Sequence, residues 1–347
     1  MSQTIEQLVG QLTIAGFRGK DANPDSSVAG FIQDYNIGGV ILYDEDLEYK
    51  QLGSRNINSP QQLSQLTQDL QSLSSFPLLI TIDQEGGEVN RLKSDYGFPD
   101  CHDWQHFGLL NNTLMTQQYS EILGETLLSS GINVNFAPVL DLDYGNDSVI
   151  GKLKRSISTI PEIAITHSKI LIQELKERNI ISCGKHFPGQ GSASSDTHEG
   201  FTDISETWTV KDLLPFDKLI QSGDLDMIMV AHTFDEKLDP KYPASLSKKI
   251  ITNVLRNDLG FSGVVICDDP SMKAISDNYD LETTFELMLN AGVDLFCFGN
   301  NLYYDADYFP QCVKVMASLI KSGKIKENRI HESIARIDSL KKKYGII

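Results

Sequence analysis

Eight short apolar runs recur along this chain of 347 residues and constrain its fold more than any other feature. Each run is too short for a helix, and most lack the alternation of apolar and polar residues that marks a half-exposed strand. Runs of this kind are typical of strands that are buried on both faces in parallel sheets. They occupy residues 13–17, 39–43, 78–82, 132–136, 180–184, 227–231, 263–267 and 294–298.

Segments with the apolar spacing of helices lie between these runs, at residues 59–72, 116–129, 161–176, 213–221 and 246–259. Ser59 and Pro60 predict a helix N-cap followed by proline at the first helical position, and Gly260 predicts a helix end directly before a strand. Eight alternations of strand and helix predict an α/β fold, a single-domain (β/α)8 barrel of the TIM type over residues 1–347. The alternative is an open doubly wound sheet, but the first strand–helix turn lacks the GxGxxG sequence of such folds.

The charge balance argues against a nucleic-acid-binding protein. The chain has 47 Asp and Glu against 30 Lys and Arg, a formal net charge of -17, whereas phosphate contacts need clustered cations. The N-terminus lacks the basic start and continuous apolar stretch of a secretory signal, and no stretch reaches the roughly 20 apolar residues of a membrane span. We therefore expect a cytoplasmic monomer with no nucleic-acid partner and no membrane partner.

The cysteines predict free thiols in a reducing compartment. There are five of them, an odd number without CxxC spacing: Cys101, Cys183, Cys267, Cys297 and Cys312. Three lie inside apolar runs, where cysteine usually serves as a small buried hydrophobic residue. A catalytic or metal-binding role for them is disfavoured.

Polar side chains follow five of the apolar runs at the point where each run ends. In a barrel the carboxyl ends of the strands open onto one face, so these residues would converge on one site. Any single one is well explained as a helix cap or loop residue, but two histidines, a lysine and several carboxylates together favour an active site. The residues are Asp83, Gln84 and Glu85; Lys185 and His186; His232; Asp268 and Asp269; and Gly299, Asn300 and Asn301.

The two neighbouring carboxylates at the seventh run have different predicted roles. Asp269 precedes Pro270, which predicts a helix N-cap followed by proline at the first helical position. Asp268 ends the strand and is not needed for the cap. A carboxylate held there is a good candidate for a nucleophile or a base.

A glycine-rich loop after the fifth run carries a second candidate group. Asp196 stands two residues before His198, so its carboxylate can accept the imidazole N–H and raise the basicity of the ring. The D-x-H pattern alone is common by chance. On a loop that starts at the catalytic face of a barrel, it favours a general acid/base.

Four further segments stand out: DQEGGEVNRLK at 83–93, INVNFAPVLDL at 132–142, KHFPGQG at 185–191 and DTH at 196–198. Together they resemble glycoside hydrolase family 3, and within it the bacterial single-domain β-N-acetylhexosaminidases. Later segments agree, among them LRNDLGFSGVVICDDPSM at 255–272 and AGVD at 291–294. The matching segments run in order from about residue 5 to residue 300.

The resemblance implies a retaining exo-glycosidase that removes terminal β-linked N-acetylglucosamine and needs no metal or other cofactor. Asp268 falls on the family nucleophile, His198 on the general acid/base, and Asp196 on the residue that orients this histidine. The ligands of the sugar hydroxyls fall on Asp83, Arg91, Lys185 and His186. The expected substrates are small carbohydrates or glycopeptides from recycled peptidoglycan, a role that follows from the resemblance and the missing signal sequence.

The chain departs from the family pattern at four places. The family has an arginine soon after an Ile-Gly pair; here the pair is at 150–151, the following segment is two residues longer, and Arg155 is assigned to this ligand. Gln190 stands where histidine is common, Glu88 where arginine is common, and Pro270 where leucine is usual. None of these changes removes a catalytic group, but Gln190 and Glu88 leave the details of the sugar subsites open.

Four alternative functions stay open at this stage. Two lie within the family: a phosphorylase, in which phosphate replaces water, and a β-glucosidase. A metal-dependent hydrolase using His186, His198, His232 and Asp268 is disfavoured because there is no HxH pair and Lys185 would lie beside the cation. A non-catalytic sugar-binding barrel is disfavoured because both Asp268 and His198 are present.

Overall fold

A closed barrel of eight parallel strands forms the centre of the computed structural model, which describes residues 3–145 and 148–347. The strands follow one another in chain order, and the pairing of Ala15 with Phe298 closes the barrel. Each predicted apolar run coincides with one strand, although β5 extends three residues beyond its run, so the barrel is confirmed and the open sheet is wrong. The strands are β1 (Thr13–Gly16), β2 (Gly39–Leu42), β3 (Leu79–Ile82), β4 (Val134–Asn135), β5 (Ile181–Phe187), β6 (Met227–Val230), β7 (Val264–Cys267) and β8 (Leu295–Phe298).

Helices follow the strands and pack against one another and against the barrel, and all five predicted helical segments are present. They are α1 (Ile5–Gly10), α2 (Ser27–Tyr35), α3 (Pro60–Leu73), α4 (Trp104–Leu110), α5 (Thr113–Ser129), α6 (Val149–Lys152), α7 (Pro161–Glu177), α8 (Leu214–Gln221), α9 (Lys273–Ser276), α10 (Leu281–Ala291), α11 (Tyr308–Lys321) and α12 (Glu327–Lys343). A π-type helix, Lys249–Asp258, precedes β7. Within residues 3–145 and 148–347, no helix is both long and apolar enough to cross a bilayer.

The strands are buried along their whole length, which explains their continuous apolar sequences. Side chains on one face of each strand fill the barrel, and those on the other face pack against helices. The charged strand residues lie near the carboxyl end of β5, where Lys185 and His186 precede Phe187. The charged residues within the strands therefore lie at the end of the barrel where the strands open onto the loops.

Two of the predicted helix boundaries are confirmed. The Ser59 hydroxyl accepts a hydrogen bond from the backbone N–H of Gln62 at 3.2 Å, and Pro60 occupies the first position of α3. Gly260 has a φ of +74°, a left-handed conformation that side chains disfavour, and it separates the helix Lys249–Asp258 from β7.

The predicted helix N-cap at Asp269 is wrong. Its Oδ1 accepts the N–H of Ser271 at 2.9 Å, and its Oδ2 accepts the N–H of Gly299 at 2.9 Å. The first bond closes a turn around Pro270, and α9 begins only at Lys273. A carboxylate that bonds to the backbone two residues further on stabilises a turn in place of a helix start. Asp269 thus ties the loop after β7 to the end of β8.

All five cysteines are free, as the sequence predicts. Four are buried, and Cys101 is partly buried. Burial raises the pKa of the thiols of Cys183 and Cys267 well above the ordinary value, which keeps them protonated. Both therefore serve as small packing residues in β5 and β7.

Candidate active site

A pocket of about 320 Å³ opens at the carboxyl ends of the barrel strands. The structure brings all eight predicted site residues together in the lining of this one pocket, although they come from segments up to 185 positions apart, from Asp83 to Asp268. The residues are Asp83, Arg91, Arg155, Lys185, His186, Asp196, His198 and Asp268. Convergence of distant ionisable groups in one cavity is the arrangement of a barrel active site.

A buried network of charges forms one wall of the pocket. The ammonium group of Lys185 lies 2.7 Å from Asp83 Oδ1 and 2.6 Å from Glu85 Oε1. Arg155 donates two hydrogen bonds to Glu85, from Nε to Oε2 at 2.8 Å and from Nη2 to Oε1 at 2.7 Å. This bidentate pair is the strong form of a guanidinium–carboxylate contact. It holds Arg155 in the pocket even though the segment that carries it is longer than the family pattern.

The charge of Glu85 is maintained by its partners. Burial by itself raises the pKa of this carboxyl group, but the charges and hydrogen bonds of Arg155 and Lys185 outweigh burial and lower the pKa well below its usual range. Burial by itself lowers the pKa of Lys185, but its ion pairs with Asp83 and Glu85 outweigh burial and raise it. Glu85, Arg155 and Lys185 are therefore charged at neutral pH, and their network fixes Asp83 at the edge of the cavity.

His186 is oriented by a buried carboxylate. Its ring Nδ1 lies 2.6 Å from Asp141 Oδ2, and the same carboxylate accepts the backbone N–H groups of His186 and Gln190. The ring Nε2 lies 3.3 Å from Arg155 Nη2. The imidazole is thus held from both sides, with its edge in the pocket.

Sequence reasoning did not select Asp141 and gave Glu85 no role of its own. Both are buried and contact other site residues, so they hold the side chains that line the pocket while exposing little surface to the pocket themselves. The position of Glu85 directly after β3 was a usable signal. Asp141 lies six residues after β4, inside the segment 132–142 that resembles the family. Because it does not directly follow an apolar run, no other feature of the sequence indicated a role in the site.

Asp268 lies at the carboxyl end of β7, and its Oδ1 accepts the backbone N–H of Asp269 at 2.9 Å. Burial raises the pKa of this carboxyl group, but the nearby imidazoles of His186 and His198, together with the hydrogen bond from the Asp269 N–H, outweigh burial and lower it. The group is therefore a carboxylate at neutral pH, the form that a nucleophile requires.

The predicted pair on the loop after β5 is formed. His198 Nδ1 lies 2.7 Å from Asp196 Oδ1, and the backbone N–H of His198 donates to the same oxygen at 2.9 Å. The His198 side chain is 46% exposed, so its other ring nitrogen is accessible from the pocket mouth. Partial burial lowers the pKa of the imidazole, but the bond to Asp196 and the charge of Asp268 together raise it above its ordinary value.

Arg91 is placed by a glutamine that the sequence analysis mentioned only in passing. Gln84 Oε1 accepts the backbone N–H groups of Arg91 at 2.9 Å and Leu92 at 3.0 Å, which folds the segment after β3 back over the barrel. The guanidinium carbon of Arg91 lies 5.6 Å from the centre of the Tyr43 ring. Its Nε is buried and has no hydrogen-bond partner within the described residues.

Gln190 and Glu88, two of the positions that depart from the family pattern, differ in location. Gln190 is buried and lines the pocket; its Nε2 lies 3.4 Å from Thr197 Oγ1, and its Oε1 has no partner in the described part of the chain. It therefore contacts the loop that carries Asp196 and His198. Glu88 is exposed and is not part of the pocket lining.

His232 supports the site from below. Its Nε2 donates to the carbonyl oxygen of Asp269 at 3.0 Å, and its Nδ1 accepts from the Ser245 hydroxyl at 2.7 Å. Burial lowers the pKa of the ring, which keeps it neutral. His232 thus positions the loop that contains Asp268. Within the described residues, no three His, Cys, Asp or Glu side chains are grouped so as to hold a metal ion.

Residues 4–340 match the family model described as the glycosyl hydrolase family 3 N terminal domain. The chain belongs to glycosyl hydrolase family 3. The resemblance inferred from the four sequence segments is thereby confirmed, and the eight pocket residues lie on a glycosidase framework.

Two relatives and one solved structure of this family match most of the chain. A protein of Nitrosomonas eutropha named Beta-hexosaminidase is 35% identical over 278 residues, which cover 76% of this chain and 74% of the relative. A Beta-hexosaminidase of Hydrogenovibrio crunogenus is 36% identical over 271 residues, covering 75% of this chain and 71% of the relative. The solved structure of a family 3 β-N-acetylglucosaminidase from Paenibacillus sp. superposes with a TM-score of 0.89 at 31% identity, over 99% of this chain. The chain spans 63% of the length of that protein.

Proposed function

We propose that this glycosidase removes terminal β-linked N-acetylglucosamine with retention of configuration, using Asp268 as nucleophile and His198 as general acid/base. The observation that carries the proposal is the joint presence, in one pocket, of an ionised carboxylate at a strand end and an imidazole held by its own carboxylate. The names of the relatives in Nitrosomonas, Hydrogenovibrio and Paenibacillus support the hexosaminide specificity.

In the first step, protonated His198 donates to the leaving oxygen while Asp268 Oδ attacks the anomeric carbon. The C–O bond to the leaving group breaks, the leaving group departs as an alcohol, and a glycosyl ester forms on Asp268. The raised pKa of His198 supports its protonated starting form. Asp196 accepts a hydrogen bond from the Nδ1–H of His198, so that Nε2 faces the leaving group.

In the second step, neutral His198 removes a proton from water, which attacks the anomeric carbon and releases Asp268. Esterification removes the negative charge of Asp268, one of the contributions that raise the pKa of His198. The imidazole is therefore less basic in the intermediate than in the free enzyme, and this favours the neutral form that the step needs. His198 therefore acts first as the general acid and then as the general base.

Asp83, Arg91, Arg155, Lys185 and His186 are proposed to bind the sugar hydroxyls. Their paired charges support this role, because a rigid set of donors and acceptors distinguishes a sugar from water by geometry. A panel of aryl β-glycosides (N-acetylglucosaminide, glucoside and xyloside) tests the specificity. A strong preference for the N-acetylglucosaminide is expected; a preference for the glucoside would make the chain a β-glucosidase with the same mechanism.

We further propose that residues 1–347 act as one catalytic domain on small carbohydrates or glycopeptides derived from peptidoglycan. N-Acetylglucosaminyl-anhydromuramyl peptides test this substrate class, with release of free N-acetylglucosamine as the readout. Product analysis in the presence and absence of phosphate separates hydrolysis from phosphorolysis. Free sugar under both conditions supports hydrolysis, whereas a sugar 1-phosphate that appears only with phosphate would contradict it.

A further inference from the structure

A group of positive charges surrounds one buried carboxylate at the end of the barrel opposite the candidate active site. Asp294 directly precedes β8, is fully buried, and contacts three guanidinium groups, those of Arg256 at 2.6 Å, Arg336 at 3.0 Å and Arg329 at 3.2 Å. Three cations on one carboxylate leave an excess of two positive charges. This excess is notable in a chain whose net charge is -17.

The three arginines differ in how fully the protein uses their donors. Arg256 donates to three backbone carbonyl oxygens in addition to Asp294. Arg329 donates to two backbone carbonyl oxygens and to the Ser333 hydroxyl. Among the described residues, Arg336 donates from Nη1 to Asp294, and its side chain is 33% exposed. No acceptor in the described part of the chain bonds its Nε or Nη2, and these two nitrogens lie on the same edge of the guanidinium plane.

Arg336 lines a shallow pocket of about 330 Å³ between α12 and the amino ends of β6 and β7. Lys343 lies two turns further along the same face of α12 and lines the pocket too, as do the hydroxyl-bearing Ser262 and Ser339. The lining also contains Asp226, whose carboxylate accepts hydrogen bonds from Lys343 at 2.6 Å and from Tyr344 at 2.9 Å. The acidic group is therefore already paired.

The groups that form ion pairs beside this pocket carry a net positive charge. Five cations face two carboxylates, an excess of three: Arg256, Arg329, Arg336, Lys343 and Lys176 against Asp294 and Asp226. The carboxyl end of α12 carries a partial negative charge, but three lysines in its last turn offset it. Such an excess attracts an anion.

We propose that this pocket binds a phosphate group, either as inorganic phosphate or as the phosphomonoester of a small molecule. The free edge of Arg336 offers two parallel N–H donors, which match two oxygens of one phosphate. Lys343 adds a point charge, and the hydroxyls of Ser262 and Ser339 add further donors. Bound phosphate would connect α12 to the starts of β6 and β7, so it stabilises the fold.

This site is separate from the proposed catalytic reaction. It lies at the amino ends of the strands, whereas the candidate active site lies at their carboxyl ends, and the four residues of β7 span about 13 Å at roughly 3.3 Å per residue. Phosphate bound here is therefore too far away to attack a sugar on Asp268. Loss of this site should leave turnover unchanged, so that its test is independent of the glycosidase assignment.

Calorimetric titration of the full chain with inorganic phosphate and with N-acetylglucosamine 6-phosphate tests the proposal, with ionic strength held constant by sodium chloride. Arg336→Gln should weaken binding at least about tenfold, because both free donors and the charge are lost. Arg336→Lys should bind with intermediate affinity. Lys218→Gln is the matched control and should bind like the wild type, since it removes an exposed cation that, within residues 3–145 and 148–347, forms an ion pair with neighbouring Asp217 alone.

Thermal unfolding gives a second readout. Phosphate at about ten times its dissociation constant should raise the melting temperature of the wild type by about 1–3 °C, and this shift should disappear in Arg336→Gln. Should Arg336→Gln fail to fold, Lys343→Gln replaces it, and severalfold weaker binding is expected. No binding at tens of millimolar ligand, or equal binding by the Arg336 variant, would overturn the proposal. The tighter of the two ligands identifies the source of the phosphate.

Discussion

At the scale of single residues, the pocket separates its ionisable groups into a structural set and a reactive set. Glu85 and Asp141 are buried, and each has its oxygens occupied by protein donors. Asp268 and His198 keep accessible surface in the pocket, and each raises or lowers the pKa of the other through its charge. Accessible groups with shifted pKa values are the candidates for catalytic residues.

The first prediction concerns the proposed nucleophile. Asp268→Asn should nearly abolish turnover of every substrate, because a good leaving group does not replace a missing nucleophile. Steady-state rates on an aryl N-acetylglucosaminide with an acidic phenol and on one with a poor leaving group would check this. Asp269→Asn is the neighbouring control: it removes the same charge from a residue that stabilises a turn, and activity should survive better. If Asp268→Asn retained turnover comparable to that control, the nucleophile assignment would be wrong.

The second prediction concerns the acid/base. In His198→Ala, a substrate with a poor alkoxide leaving group should lose about 10²–10⁴ in rate, the usual contribution of a positioned acid. A substrate with an acidic phenol should keep its first step, show a burst of phenol and have a lowered apparent KM. Azide, which needs no base, should restore turnover and yield a β-glycosyl azide. Equal losses on both substrates without azide rescue would contradict the assignment.

The third prediction uses pH to isolate Asp196. The bond to Asp196 raises the pKa of His198, so activity should be lost on the alkaline side as the imidazole loses its proton. In Asp196→Asn that bond no longer supplies a negative charge, and the alkaline limb of kcat/KM should move to lower pH. The loss of rate at the optimum should be smaller than in His198→Ala. An unmoved alkaline limb would show that Asp196 does not act through the histidine.

At the scale of elements, the strand ends determine which groups can react. β5 delivers Lys185 and His186, β7 delivers Asp268, and the loop after β5 carries Asp196 and His198. The loop after β7 is held from two sides, by the bonds of Asp269 to Gly299 and of His232 to the Asp269 carbonyl. A nucleophile on a loop fixed in this way loses little orientational freedom when substrate binds.

The fourth prediction concerns the interior of β5 and β7. Cys183→Ser and Cys267→Ser should keep measurable activity, because burial keeps both thiols protonated and unreactive. A buried hydroxyl without a partner costs about 1–3 kcal/mol, so the variants should unfold at lower denaturant concentration. Kinetics combined with denaturant unfolding would measure both effects. Folded but inactive variants would show that a thiol takes part in the reaction.

At the scale of the whole molecule, the barrel places its two charged regions at opposite ends. The candidate active site combines ionised carboxylates with cations at the carboxyl ends of the strands, while the arginines around Asp294 lie at the amino ends. The buried apolar layers between them keep these groups apart. Substitutions at the amino ends of the strands can therefore change the free energy of unfolding without changing activity.

The fifth prediction concerns global stability and pH. Burial, with a smaller contribution from the charge of Asp141, raises the pKa of Asp212 to about 6, and its Oδ1 has no partner within the described residues. Since the folded-state pKa lies above the unfolded value of about 4, the stabilising contribution of this proton is complete below pH 4 and is lost as pH rises through 6. Ionisation of Asp212 in the folded state therefore lowers the free energy of unfolding at neutral pH by at most about 3 kcal/mol, compared with a protein in which this group stays protonated.

Asp212→Asn should therefore raise the free energy of unfolding at pH 7 to 8 and leave it nearly unchanged at pH 4. Denaturant unfolding at the two pH values measures the difference. The amide retains an acceptor oxygen for the backbone N–H of Thr209, which Asp212 Oδ2 now holds at 3.0 Å. Equal destabilisation at both pH values would mean that the proton on Asp212 is not the source of the effect.

The sequence by itself determined the barrel, because a strand buried on both faces needs a continuous apolar run and eight such runs are visible locally. It also determined the candidate residues at the strand ends and the Asp196–His198 pair, whose members are two positions apart. Only the tertiary structure decided how distant residues pair: Arg155 with Glu85, His186 with Asp141, and Asp269 with Gly299. The N-cap predicted at Asp269 was wrong for this reason, since the local pattern did not contain the partner that β8 supplies. Hydrogen bonds and ion pairs between segments depend on positions in space, which a pattern along the chain does not specify.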